Sequence, residues 1–374
     1  MNAGRGGVVN VVWRLAELLR DRLNHEVVVI SDHGNDLDRL VDMGVTHELV
    51  PFRGQFKTLW ASRQRLRRIY QDFQPDIVHS HSRWPSMVSI AAGRRPDVST
   101  LHMSTLTGHG SRWDIGWLRR QLSGWGSTVT TLDQTARQML ISELGLAPDR
   151  IAVVPNGIDH RRFHPLDAEA RQAVRRELGL GPADRVAVFV GALIDRKRPD
   201  WCIDAVAQAR QSGNADARLV LMGHGDMSDT LRSRLQADGL KDVVLMPGHV
   251  DPLPWYQAAD VMLLPSTTEG FPLVCVEAML CGLPLIRTRS GGCDEQIEEG
   301  KTGHIVEVDD HQGFIDRTVS LLGDAELSDS FGRSSQQRAL DHFTEGRYLE
   351  LLMEIYGRYS SAEVDQAVLE EGAA

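Results

Sequence analysis

Two carboxylates, Glu269 and Glu277, flank a mostly apolar stretch in the run EGFPLVCVEAMLCG. Pro272 suits the first turn of a helix, which leaves Glu269 in the loop before it and sets Glu277 well inside. A polyhydroxylated ligand laid along that helix start could meet both. Carboxylates only accept hydrogen bonds, and charge-assisted bonds from sugar or ribose hydroxyls contribute roughly 1.5–3 kcal/mol each. The free N–H groups at the same helix end would face a diphosphate between two sugars. One short segment could therefore hold a whole sugar nucleotide.

Apolar runs alternate with helical patterns on either side of this segment. In the first half, residues 26–31, 47–52, 76–81, 98–103, 128–132 and 151–155 read as strands of a parallel sheet. The second half begins again with 185–193, 217–223, 243–248, 261–266 and 284–288. A chain of 374 residues suggests two α/β domains, each able to bury its own core. The polar stretch HPLDAEARQAVRRELGLGPADR separates them. The expected division is thus 1–165 and 166–345, with 346–360 a helix packing back toward the first domain and 361–374 a frayed acidic tail. Doubly wound domains facing one another hold their ligand in the cleft, at the carboxyl ends of the strands.

EGFPLVCVEAMLCG resembles the Glu-x7-Glu signature of retaining glycosyltransferases of the GT-B fold, particularly family 4 (glycosyl transferases group 1). Other segments follow in the family's order. VVPNGIDHRRF (153–163) resembles its interdomain stretch, VGALIDRKR (190–198) its donor-phosphate loop, and SGGCDEQIEEGKTGHIV (290–306) its Gly-Gly loop with the turn after it. The resemblance extends to about Tyr359. It implies two Rossmann-like domains, the first for an acceptor and the second for a nucleotide sugar. It also implies transfer of a sugar, with retention, from a nucleoside-diphosphate sugar to an acceptor hydroxyl.

Carried onto this chain, the family pattern makes Lys197 the cation at the donor phosphates, Glu269 the contact to the transferred sugar and Glu277 the ligand of the ribose. Gly191, Gly270, Phe271, Pro272, Leu273, Gly291 and Gly292 fall in the donor loops, with Ser290 and Glu295 beside the last two. His102 matches the cleft histidine, and Gly6 with Gly7 match the first glycine loop. Where the family often has arginine after the first glycine of the phosphate loop, this chain has Ala192, and Arg196 is expected to replace that charge. Members also open with an apolar strand before the first glycine loop, whereas MNAGRGG begins in the loop. A first strand is therefore expected upstream of Met1. His79 and His81 alternate onto one face of a strand, but no third metal ligand is evident.

A departing diphosphate needs its charge neutralised. The Asp36-Leu37-Asp38 triplet lies in a polar stretch of the acceptor-side half and reads as a solvated loop. Fixed cations, and no metal, are expected to serve, with a UDP-, GDP- or ADP-sugar as donor and no cofactor. Charge is uneven along the chain: +5 up to Pro165 and −15 beyond it, making −10 in total. The acidic half must hold an anionic donor by local groups and not by its overall field. Cys202, Cys275, Cys281 and Cys293 lack paired spacing and read as buried thiols. No stretch approaches the roughly 18 apolar residues that span a bilayer, and no signal-peptide core opens the chain, so it reads as soluble and cytoplasmic. The basic surplus is too small, and too bare of motifs, for nucleic acid.

The acceptor side gives hints alone. Residues 56–70 place Lys57, Arg63, Arg67 and Arg68 around Leu59, Leu66, Ile69 and Tyr70, and 111–126 add Trp113, Trp117, Trp125, Arg119 and Arg120. Such helices suit peripheral contact with an anionic membrane, or equally packing on the sheet with solvated charges outside. A sugar-nucleotide 2-epimerase of the same architecture, or a non-catalytic sugar-nucleotide binder, would share the donor features.

Overall fold

A computed structural model describes residues 7–31, 44–51, 56–81, 83–102 and 128–360. Gly6, the Asp36-Leu37-Asp38 triplet, the tryptophan-rich stretch 111–126 and the tail 361–374 lie outside them. The chain divides into two compact units. One comprises Met1–Asn156 with Gly346–Ala374, the other Gly157–Glu345.

The first unit contains β1 (Val28–Ser31), β2 (Thr46–Leu49), β3 (His79–His81), β4 (Val98–Leu101), β5 (Thr128–Thr131) and β6 (Ile151–Val153). All pair in parallel, yet among the described residues they form two sheets where the sequence suggests one. β1 pairs with β2 alone, and the other sheet runs β3-β4-β5-β6. No described strand bridges β1 and β3. A cavity of about 570 Å³ lies there, lined by Val8, Val12, Val28, Ile30, Ile77 and Tyr356 among others. The helix Gly7–Leu23 presents Leu15 and Leu18 to a core that also takes Val98, Val154 and, from the closing helix Glu345–Tyr356, Tyr348, Leu349 and Leu352. The helix Phe56–Phe73 spends its apolar stripe inward: Leu66 is buried, and Leu59, Ile69 and Tyr70 pack beside it on Val50 and Val88. Arg65, Arg67, Arg68 and Trp60 remain exposed on that helix.

The second unit holds one unbroken parallel sheet of β7 (Arg185–Val190), β8 (Ala217–Met222), β9 (Val244–Gly248), β10 (Val261–Leu264), β11 (Leu285–Thr288) and β12 (Gly303–Val306), in the order β12-β11-β10-β7-β8-β9. Helices cover both faces, so the inner strands are apolar at nearly every position. Val186, Val188, Phe189, Leu219, Leu221 and Leu263 are fully buried. β12 falls where the sequence suggests a turn. The polar stretch expected between domains belongs to this unit, because its helix Ala168–Glu177 is anchored there. Arg171, Arg175 and Arg185 converge on buried Asp260 at 2.9, 3.0 and 3.1 Å, and Asp260 also accepts the Val186 N–H at 2.6 Å. All four cysteines are buried and free.

Candidate functional site

The sheet of the second unit reverses its winding at one place. β8 and β9 build outward on one side of β7, while β10, β11 and β12 build on the other. Such a switch point leaves a crevice outside the carboxyl ends of the two strands that flank it. The residues following β7 and β10 carry Lys197 and Glu269.

After β7 the chain turns through Gly191 into a short 3-10 turn, Asp195–Lys197, and Arg198 takes a left-handed conformation (φ 49°) before Pro199 opens the helix Pro199–Gln211. Proline suits a first helical position because the N–H it lacks has no intrahelical partner there. The loop is clamped on the one after β8: Leu193 N–H donates to the His224 carbonyl at 3.0 Å, and Met227 N–H to the Leu193 carbonyl at 3.0 Å. That closeness demands glycine. At Gly223 (φ +130°) a Cβ would lie 1.9 Å from the Gly191 carbonyl oxygen. Gly223 is thus a site residue that sequence reasoning passed over, although the Gly-His-Gly triplet after a strand was its signal.

Lys197 Nζ donates to Glu269 Oε1, and Arg196 Nη1 stands 3.7 Å from the same oxygen while donating to the Thr268 carbonyl. Lys197 and Glu269 are mostly buried, whereas Arg196 is half exposed, its side chain 47% accessible. Two cations thus meet one carboxylate, leaving a surplus of positive charge at the loop. The Thr267 N–H to Arg196 carbonyl bond, 2.9 Å, ties the loops after β7 and β10 together. Phe271 is buried against Phe343.

The helix Leu273–Leu280 begins one residue later than the sequence suggests. Pro272 is its N-cap, extended at ψ 112°. Leu273 and Val274 are the first helical residues, whose amides have no intrahelical acceptor. Glu277 lies in the middle of the helix and is partly buried. It accepts a hydrogen bond from the Tyr256 hydroxyl at 3.1 Å. Removal from water pushes its carboxyl up to about 7, the Tyr256 bond pulling the other way. Tyr256 is a second residue the sequence did not signal, because its partner lies across a tertiary contact.

Beyond β11, the Gly291 N–H donates to the Glu269 carbonyl at 3.2 Å. Gly292 is left-handed (φ +73°), and a Cβ there would sit 2.7 Å from the Phe271 ring. The Gly-Gly loop therefore lies directly on the Glu269–Pro272 segment. The second unit brings together Lys197, Arg196, Glu269, Gly191, Gly270, Phe271, Pro272, Leu273, Gly291 and Gly292, with Glu277 on the helix that follows.

In the first unit, Gly7 starts the helix Gly7–Leu23, and His102 follows β4 as expected. A histidine cluster surrounds His102. His81 Nδ1 and His102 Nε2 are 2.9 Å apart, and the His79 and His81 rings stack at 4.2 Å. His79 bonds the Tyr356 hydroxyl and Thr100 Oγ1, each at 2.6 Å. Burial lowers His79 to about 3 and His102 to about 4, and holds His81 well below its ordinary value, so all three rings are neutral at pH 7. Among the described residues no group of three or more His, Cys, Asp or Glu side chains is disposed to hold a metal ion. No helix among them is long and apolar enough to cross a membrane.

Known proteins share both the sequence pattern and the fold. Residues 5–162 match the model of Glycosyltransferase Family 4, and residues 184–324 that of Glycosyl transferases group 1. The chain is 31% identical to the GDP-mannose-dependent alpha-(1-6)-phosphatidylinositol monomannoside mannosyltransferase of Mycolicibacterium smegmatis, over 70% of this chain and 71% of that protein. It is 29% identical to the N-acetyl-alpha-D-glucosaminyl L-malate synthase of Bacillus anthracis, over 79% and 78%. The crystal structure of Anabaena Alr3699/HepE in complex with UDP superposes with a TM-score of 0.81 at 20% identity, covering 97% of this chain and 98% of that one. The chain belongs to the group 1, family 4 glycosyltransferases and has their GT-B fold.

Proposed function

We propose that this glycosyltransferase moves a sugar, with retention and without a metal ion, from a nucleoside-diphosphate sugar held by the second unit to an acceptor hydroxyl. The observation that carries the reading is the convergence of Lys197 and Arg196 on Glu269 at the sheet's switch point, beside the start of the helix Leu273–Leu280. Lysine has three N–H donors, so Lys197 can hold Glu269 and still donate to a diphosphate oxygen. As the bond to the anomeric carbon breaks, negative charge grows on the diphosphate. Lys197, Arg196 and the first amides of the helix would stabilise it there, already oriented. Glu269 would accept from hydroxyls of the transferred sugar, and Glu277 from the ribose. His102, held low by burial, is a poor proton acceptor at pH 7, and a hydrogen-bond contact to a substrate is the role assigned to it.

The relatives support a nucleotide-sugar donor of unspecified base, since one is named for GDP-mannose and one structure holds UDP. Peripheral contact with anionic lipid, at the inner face of a membrane in the cytoplasm, is proposed through exposed Trp60, Arg67 and Arg68. The deciding experiment incubates the protein with labelled donors and an acceptor extract, with and without EDTA. A new glycoside of retained anomeric configuration in both conditions supports the reading. An altered sugar without an acceptor would make the protein an epimerase, binding without turnover would make it a sugar-nucleotide binder, and loss of turnover in EDTA would refute metal independence.

A further inference from the structure

Arg287, on β11, is fully buried and among the largest side chains to be so. Among the described residues it has no carboxylate within ion-pair distance. Its contacts are neutral: Nη1 donates to Gln296 Oε1, and Nη2 to Ser290 Oγ and to the Gly291 carbonyl, both at 2.9 Å. Its buried Nε has no hydrogen-bond partner. Gln296, itself fully buried, passes the contact on by donating Nε2 to the Pro272 carbonyl at 3.1 Å. A guanidinium stays protonated inside proteins, and burying one without a counter-ion is strongly unfavourable unless another negative group compensates it.

Its position indicates where that group comes from. Arg287 braces the Gly-Gly loop from beneath and, through Gln296, the N-cap of the helix Leu273–Leu280. Gly291, whose carbonyl accepts from Arg287, donates its own N–H to the Glu269 carbonyl at 3.2 Å, and Glu269 holds Lys197, so the three lie in one neighbourhood. We infer that Arg287 is a positioning residue for the donor: it fixes the Ser290–Gly292 loop against the helix start, and its unpaired buried charge supplies part of the positive potential that receives the donor's diphosphate. The inference rests on the donor site proposed above.

Ligand charge separates this role from a purely structural one. Titration of the wild type with UDP, GDP and ADP first identifies the nucleotide it binds; absence of any binding would refute the donor site itself. The same chain is then titrated with that nucleoside, its monophosphate and its diphosphate, beside Arg287→Met, Arg287→Lys and Gln296→Glu. Arg287→Met should leave nucleoside affinity within about twofold and weaken the diphosphate by on the order of tenfold, the monophosphate falling between. Arg287→Lys should recover most of the diphosphate affinity. Gln296→Glu keeps the size of the side chain and gives Arg287 a counter-ion, so it covers the case in which Arg287→Met does not fold. It exchanges the Nε2 bond to the Pro272 carbonyl for the ion pair, should still unfold cooperatively in a thermal melt, and should still show the graded loss. Equal weakening of nucleoside and diphosphate in folded variants, or an unchanged diphosphate affinity in Gln296→Glu, would overturn the inference.

Discussion

The two compact units are both parallel α/β structures, but among the described residues one sheet is continuous and the other divided. In the second unit six strands pair without interruption, with central positions such as Val188, Leu221 and Leu263 fully buried. In the first, strands of three or four residues fall into two sheets, with an apolar cavity between β1 and β3. The chemistry divides along the same line. The second unit carries fixed guanidinium and ammonium groups next to glycine loops that admit no Cβ, whereas the first carries neutral, mutually bonded histidines and hydroxyls. A site that must meet growing charge without reorganising is better served by the continuous frame.

Truncating a core leucine tests the frames themselves. Leu221→Ala, in β8, should cost about 4 kcal/mol, because its close-packed surroundings cannot collapse onto the space left. Lys197→Ala is next: turnover should fall by two to three decades, roughly 3–4 kcal/mol, and the fold should also lose stability, because mostly buried Glu269 loses its bonded cation while Arg196 stays 3.7 Å away. Leu15→Ala, beside the cavity of the first unit, should cost about 2 kcal/mol, since that side chain already borders empty space. Denaturant unfolding measures both leucines, and equal costs would remove the contrast between the units.

The smallest effect concerns pH. Because folding raises Glu277 from 4.5 to about 7, the folded state holds more of its proton between those values, and this group's contribution to stability declines as pH rises through that interval. Donor binding runs the other way. If the ribose requires the carboxylate, affinity should rise roughly tenfold from pH 6 to pH 8, as the ionised fraction goes from about a tenth to about nine tenths. Glu277→Gln should flatten that profile. A wild-type profile already flat would separate Glu277 from donor binding.

The core of the second unit was legible because buried parallel strands are runs of apolar residues, and their positions follow from composition alone. β12 was missed because GHIV is short and sits against a turn. At the site, Lys197, Glu269 and the Gly-Gly loop stand in motifs. Tyr256, Arg287 and Gln296 do not, because each matters only through a partner that folding brings to it.

The most direct test of the central claim is a calorimetric titration of the full chain with UDP, GDP and ADP in EDTA, wild type beside Lys197→Ala. The account predicts that at least one diphosphate binds the wild type with EDTA present and that Lys197→Ala binds it at least tenfold more weakly. Binding that requires a divalent ion, or that is indifferent to Lys197, would contradict it.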